Sequence, residues 1–438
     1  MKIKHDTKQL QACKRLLKIE VETSQIALIY EEVYREIQKE AAIAGFRKGN
    51  APLDLIKKNY ADYAKKRVLE LAVEDSYREA MKAEGFLPVG SPAIENVKFP
   101  EGGALNYEAV IEIRPKVELK DYKGLKIKRK PDTIKEEDAD KALDNLRQIG
   151  AQYKAVPARP VKEGDYISCD MEWIVEGKTI EKKEKVLVPL EKKTLTPDLF
   201  NGILNSNVGE KKSISMNLDK NFPKPEFVGK TAILEILIHE IKEKELPALD
   251  DEFAKDLGIT EGIDVLRQKI KERLKVEKQE AVRLDMQDQA IAQLLQSHSF
   301  DLPQSLVDGE FNNLVHESKH KLLDQGYNEK QAEEIFEKEK DKLAKNLKPH
   351  AESQVKTFFI LEEIAEKESL SATEEELSNF IDALAERQGA KDKAAFRRQL
   401  EKDERINSLH WQLTEAKVIQ FLLDNAKIED ETIGGEHV

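Results

Sequence analysis

Cysteine is nearly absent: Cys13 and Cys169 are the only two in 438 residues, and no CxxC pair occurs. That argues against a zinc knuckle and a dithiol redox site, and it suits a reducing compartment. Aromatic residues make up 6% of the chain against 36% charged. So few large side chains speak against one tightly filled core and for long helices with wet faces. No run of roughly 18 or more apolar residues exists, so no membrane-spanning helix is expected. The start, Met1-Lys2-Ile3-Lys4-His5, carries no apolar signal core. No GxxxxGK[ST] loop is present to cradle a nucleotide. A formal net charge of −12 works against wholesale coating of nucleic acid, while a local basic patch remains able to touch RNA. These absences give the expectation of a soluble, cytoplasmic chain of about two to four domains with no cofactor and no metal.

What is present changes character along the chain. Leu17, Ile19 and Val21 alternate with Lys18, Glu20 and Glu22, the period of a half-buried strand. A helix follows, with Ile29, Val33 and Ile37 recurring every fourth residue. Gly45 and Gly49 break it, and Pro52 suits the first turn of a second helix bearing Leu53, Ile56 and Tyr60 on one face. A third helix is expected over 66–84, then a turn-rich connector, Leu87-Pro88-Val89-Gly90-Ser91-Pro92. Residues 104–113 read as a strand, and Pro115 closes an α+β domain over 1–115. Residues 116–150 read as a linker, extended and basic at first and helical from 136, with Gly150 as a helix stop. From Tyr166 to Ile241 alternation dominates, and 151–243 read as a small antiparallel sheet domain. Residues 244–430 are almost wholly helical with interleaved charges, and 431–438 read as a disordered tail. The fold class is α+β multidomain, ending in long helices.

The loop Gly45-Phe46-Arg47-Lys48-Gly49-Asn50-Ala51-Pro52 carries the most specific chemistry. Arg47 offers a planar fork for bidentate contact with phosphate or carboxylate, and Lys48 a point charge. Phe46 can anchor an apolar pocket, and the glycines permit sharp turns and close approach. Alone, the segment reads as an ordinary solvated helix–helix turn. It resembles, however, the GFRxGxxP ribosome-binding signature of the bacterial trigger factor family. Further segments resemble that family in its own order: Pro88-Val89-Gly90-Ser91-Pro92, Ile113-Arg114-Pro115-Lys116-Val117-Glu118-Leu119, Glu245-Leu246-Pro247-Ala248-Leu249-Asp250-Asp251-Glu252-Phe253 and Leu302-Pro303-Gln304-Ser305-Leu306-Val307-Asp308-Gly309-Glu310. The resemblance covers nearly the whole chain. It implies an α+β ribosome-binding domain, a small FKBP-like peptidyl-prolyl isomerase domain of antiparallel strands, and a helical chaperone domain with arms. It implies as partners the ribosome near the tunnel exit, through ribosomal protein and rRNA, and nascent or unfolded polypeptides whose folding and export are assisted. It also implies a homodimer off the ribosome. Gly45, Phe46, Arg47, Lys48, Gly49, Asn50 and Pro52 are then the docking residues. Asn50 stands where lysine is common, and Lys57, Lys58, Lys65, Lys66 and Arg67 either compensate or form an ordinary solvated face.

Prolyl isomerisation needs no nucleophile or metal. It lowers an amide-resonance barrier of about 18–20 kcal/mol by gripping the ring in an apolar, aromatic-lined slot. The resemblance carries the pocket positions onto Met171, Ile180, Val186, Thr196, Leu199, Phe222 and Leu234, of which Phe222 alone is aromatic. Thr196-Pro197-Asp198 replaces the usual Ile-Pro-Gly turn. Either a slot with aliphatic walls works weakly, or the domain keeps the fold without catalysis, and core packing is the plain reading of the aliphatic positions. An enzyme working chiefly as an FKBP-type isomerase, or an assembly chaperone that never meets the ribosome, are the alternatives. His298, His316, His320, His350 and His410 read as surface residues. His316 and His320 are four apart on an expected helix without evident partner ligands. Phe358, Phe359, Leu361 and Ile364 read either as client-binding surface or as core.

Overall fold

The computed structural model of the chain describes residues 1–156, 159–218, 222, 227–403 and 405–431, apart from the side chain of Asp341. The expected disordered tail lies outside the described residues from 432 onward. The chain divides into two compact units, one of residues 1–130 and 283–438, the other of residues 131–282.

The first unit opens with β1 (Ile3–Gln9), β2 (Lys14–Val21), α1 (Thr23–Glu40), α2 (Leu53–Asn59), α3 (Ala61–Glu84), β3 (Pro88–Lys98) and β4 (Leu105–Ile113). The strands form one antiparallel sheet in the order β1-β2-β4-β3. Leu17, Ile19 and Val21 on β2 are buried, as their alternation requires. α3 buries Ala64, Val68, Ala72, Ser76 and Ala80, a four-residue stripe of mostly small side chains against the sheet. The Ser76 hydroxyl bonds Tyr107 on β4 at 2.8 Å, and burial pushes the Tyr107 phenol up to about 12. The expected turn-rich connector at 87–92 is instead the start of β3. Pro88, Gly90 and Pro92 are tolerated because β3 is an edge strand with two irregularities in its register.

Residues 116–135 contain β5 (Lys126–Arg129). The second unit then holds α4 (Glu136–Ile149), β6 (Gln152–Ala155), β7 (Tyr166–Val175), β8 (Lys178–Pro189), α5 (Pro197–Ile203), β9 (Lys211–Asn217), β10 (Thr231–Glu245), α6 (Asp251–Asp256) and the first part of α7 (Ile263–Ser297). Its sheet is antiparallel throughout: β6-β10-β7-β8, with β9 also on β10. Ala232, Leu234, Ile236 and Ile238 of β10 face the core, and α5 presses so close to β9 that Ile214 fills the space a side chain at Gly202 would take.

Back in the first unit come α8 (Gln304–Asp324), α9 (Glu329–Lys367), α10 (Glu374–Arg387), α11 (Lys393–Lys402), α12 (Ile406–Asp424) and β11 (Lys427–Asp430). β11 pairs parallel with β5. On the other edge of β5, Gln289 and Gln293 of α7 each use their side-chain amide as a strand would. Each donates to and accepts from the backbone of one residue, Lys128 and Lys126 respectively, at 2.7–3.2 Å. Val307, Leu314, Ala351, Val355 and Phe359 join α8 to α9. Phe359, Leu361 and Ile364 are buried core, and Phe358 is half-buried with its ring 4.8 Å from that of Trp411. No helix among the described residues is long and apolar enough to cross a membrane.

Candidate functional site

The loop between α1 and α2 is tied at its base and free at its tip. Ala41 and Ala51 are buried, and Gln38 Nε2 donates to the Ala51 carbonyl at 2.6 Å, closing the two ends together. Within the loop, the Phe46 N–H donates to Ile43 O at 3.0 Å and the Asn50 N–H to Arg47 O at 2.9 Å. These two tight turns are set by Gly45 and Gly49, both at φ +88° with open space around them. The glycines are there for the backbone angle, which L side chains avoid, rather than for room. Pro52 then starts α2, its carbonyl accepting the Leu55 and Ile56 N–H groups.

Residues 44–50 are exposed, with Phe46 43% accessible despite its apolar ring. Among the described residues neither Arg47 nor Lys48 has an ion-pair or side-chain hydrogen-bond partner. Other arginines of this domain are engaged: Arg78 with Glu74 at 2.8 Å, Arg67 with Glu70 at 3.3 Å. Of the flanking cations, Lys57 lies over the Tyr34 ring at 5.9 Å, while Lys58, Lys65 and Lys66 are exposed. An open cleft of about 840 Å³ runs between α1 and α3, with Lys39, Lys66 and Arg67 on its walls.

The candidate isomerase positions fall into two clusters rather than one slot. Met171, Val186, Leu199 and Leu234 belong to the main core of the sheet, Leu234 fully covered and Leu199 7% exposed. Ile180 and Phe222 pack instead with Val175, Leu218 and Ala232. Thr196 is exposed at the start of α5 and makes no capping bond. Trp173 packs against both clusters and meets Phe222 edge-on at 5.3 Å. Sequence reasoning passed over it. The available signal was its place two residues after Met171, on the same face of a strand whose alternation was already plain. Cys169 is buried in the same core, and burial pushes its thiol up to about 11, away from reactivity. Asp170 ties the irregular β8 to β10: its carboxylate accepts the Lys185 N–H at 2.8 Å and sits 2.9 Å from His239 Nε2.

One histidine expected at the surface is buried. His298 is 2% exposed, accepts the Lys120 N–H at Nε2 and lies 2.8 Å from the Leu294 carbonyl at Nδ1. It continues the four-residue stripe of Met286, Ala290 and Leu294 on α7, which is the signal that could have marked it as buried, and hydrogen bonds to backbone satisfy its ring nitrogens there. Among the described residues no group of three or more His, Cys, Asp or Glu is arranged to hold a metal ion.

Comparison with known proteins agrees along the chain. Residues 1–146 match the family described as bacterial trigger factor protein, and residues 262–424 match the C-terminus of the same family. The trigger factor of Geotalea daltonii is 30% identical over 424 residues, covering 96% of this chain and 97% of the relative. That of Carboxydothermus hydrogenoformans is 30% identical over 435 residues, covering 98% and 100%. That of Anoxybacillus flavithermus is 29% identical over 433 residues, covering 96% and 98%.

Proposed function

This chain belongs to the bacterial trigger factor family, with the role in protein folding of a chaperone that membership carries, and from that premise we propose that it works on the ribosome. Residues 1–115 dock beside the tunnel exit through Gly45, Phe46, Arg47, Lys48, Gly49, Asn50 and Pro52. Residues 151–243 supply the isomerase-type sheet, and residues 244–430 present the surface that shelters nascent and unfolded chains in the cytoplasm. One observation supports the docking role most: Phe46, Arg47 and Lys48 are held out on two glycine-set turns with nothing in the described residues to satisfy them. Positive charge suits a target framed by rRNA phosphates and acidic side chains, and an unpaired arginine needs no partner removed before it binds. The uncharged amide of Asn50 stands where the family commonly has lysine, so that contact falls to exposed neighbours such as Lys58. Co-sedimentation with ribosomes tests this. Wild type is expected in the ribosomal pellet and the Phe46/Arg47/Lys48→Ala variant in the supernatant; equal pelleting rejects docking through the loop.

The isomerase activity is weak in this reading. Leu199 and Leu234 are committed to the core, and the aromatic wall reduces to Trp173 and Phe222. A proline-peptide isomerisation assay on the full chain is expected to give slow turnover, and the rate of a strong FKBP would refute it.

A further inference from the structure

His316 and His320 stand four residues apart on α8 with Glu317 next to the first, so the helix carries His-Glu-Ser-Lys-His. Two histidines at this spacing share one helix face and form the metal-holding half of His-Glu-x-x-His sites. Both imidazoles are exposed, and their ring centres lie 4.6 Å apart at 67°. Among the described residues neither ring has a hydrogen-bond or ion-pair partner. His298 differs, since its ring nitrogens already face Lys120 N–H and Leu294 O. The helical backbone fixes both side chains on adjacent turns, so gathering them around an ion costs little further ordering.

The spacing also speaks to the ion. With metal–nitrogen bonds of about 2.0–2.1 Å, two imidazoles on one ion stand roughly 4.5–5.3 Å centre to centre as the ligand angle opens from square to tetrahedral. The observed 4.6 Å already brings the two rings as close as a shared ion requires. Among divalent first-row ions Cu²⁺ leads in intrinsic affinity for imidazole sites.

We propose that His316 and His320 form a two-imidazole chelate for a divalent transition-metal ion, Cu²⁺ most tightly, on the exposed face of α8. The other coordination positions belong to water. No third protein ligand gathers there among the described residues, and hydrolytic zinc centres take three, so the site binds an ion without a proteolytic role. It is independent of ribosome docking and stands or falls separately.

The test is titration of the full, tag-free chain with CuCl₂, NiCl₂ and ZnCl₂ by calorimetry, with electron paramagnetic resonance of the Cu²⁺ form. Wild type is expected to take up one equivalent with nitrogen hyperfine structure from two imidazoles. His316→Ala and His320→Ala are each expected to weaken it at least about tenfold, the lower end of what losing even a supporting outer partner costs at other metal sites. The double variant loses that equivalent, and His350→Ala, changed on α9, keeps it. Far-UV circular dichroism checks that α8 persists. A double variant that binds like wild type overturns the site, and Zn²⁺ binding as tightly as Cu²⁺ overturns the preference for Cu²⁺.

Discussion

Phe46 is 43% exposed at a tip where Arg47 and Lys48 have no partners, while Leu234 is wholly covered on the inward face of β10. Both were candidate functional residues on the same family pattern, and the molecule treats them in opposite ways. The loop's tip, residues 44–50, stays exposed: its ends are anchored by the buried Ala41 and Ala51 and by Gln38, its turns by backbone bonds and glycine angles. The sheet spends nearly all of its candidates on itself, since Met171, Val186, Leu199 and Leu234 lie in one core and Ile180 and Phe222 in another. A recognition element has to be spare from the fold that carries it. A substrate slot has to be at least partly unpacked, and this sheet leaves little of that kind at the expected positions.

The largest effect is expected where the packing is densest. Leu234→Ala empties a fully buried site between Trp173 on β7 and Ile214 on β9, and is expected to cost about 2–5 kcal/mol, read by urea unfolding. A cost under about 1 kcal/mol would mean that Leu234 faces an open slot after all, and the contrast with the loop would fail.

Charge is handled as differently as apolar surface. Asp165 is 4% exposed just before β7, and Arg159 grips it with two bonds at 2.6 and 2.8 Å while the Lys162 N–H adds a third at 2.7 Å. Burial alone would raise this carboxyl; Arg159 and the Lys162 N–H outweigh it and hold it below its ordinary value. A depressed carboxylate contributes stability that is complete above the unfolded value, about 3.9, and is lost as pH falls through the folded one. Asp165→Asn is therefore expected to cost about 1.5–3 kcal/mol at neutral pH, with the gap to wild type closing as pH drops below the ordinary carboxylate range. Urea unfolding across pH reads it, and a gap that stays constant into acid would show that the charge is not what braces the unit.

How much of this was visible in sequence depended on how many neighbours each segment needs. β2, β7 and β10 are flanked on both sides, and alternate residues of each, such as Leu17, Ile19 and Val21, Ile167 and Cys169, or Leu234, Ile236 and Ile238, turn into the core, so the alternation is legible. The loop was visible because its glycines, its cations and its proline all act locally. β1, with Ile3 as its one aliphatic residue in Ile3–Gln9, and β3, with its prolines, are edge strands; the sheet supports each from one side, so neither needs the pattern that marks a strand. The β5–β11 pair joins Lys126–Arg129 to Lys427–Asp430 across most of the chain, and no local signal announces such a partner. Trp173 was hidden differently: its strand was legible, but its contact is with Phe222, nearly fifty residues away in sequence, and no local signal links the two.

The smallest effect on stability is expected in the loop, and its smallness is the informative part. Phe46, Arg47 and Lys48 belong to no core cluster and to no ion pair among the described residues. Substitutions at such positions fall within about ±0.5 kcal/mol each, and the turns survive because Gly45, Gly49 and the backbone bonds that shape them are untouched. The triple alanine variant should thus unfold in urea close to wild type while losing its place in the ribosomal pellet. That pairing separates recognition from folding in one molecule. Were the variant instead to lose several kcal/mol, Phe46 would be a packing residue, and its failure to reach the ribosome would say nothing about docking. Stability retained together with pelleting retained would leave the fold described correctly and the loop without the role its exposure suggests.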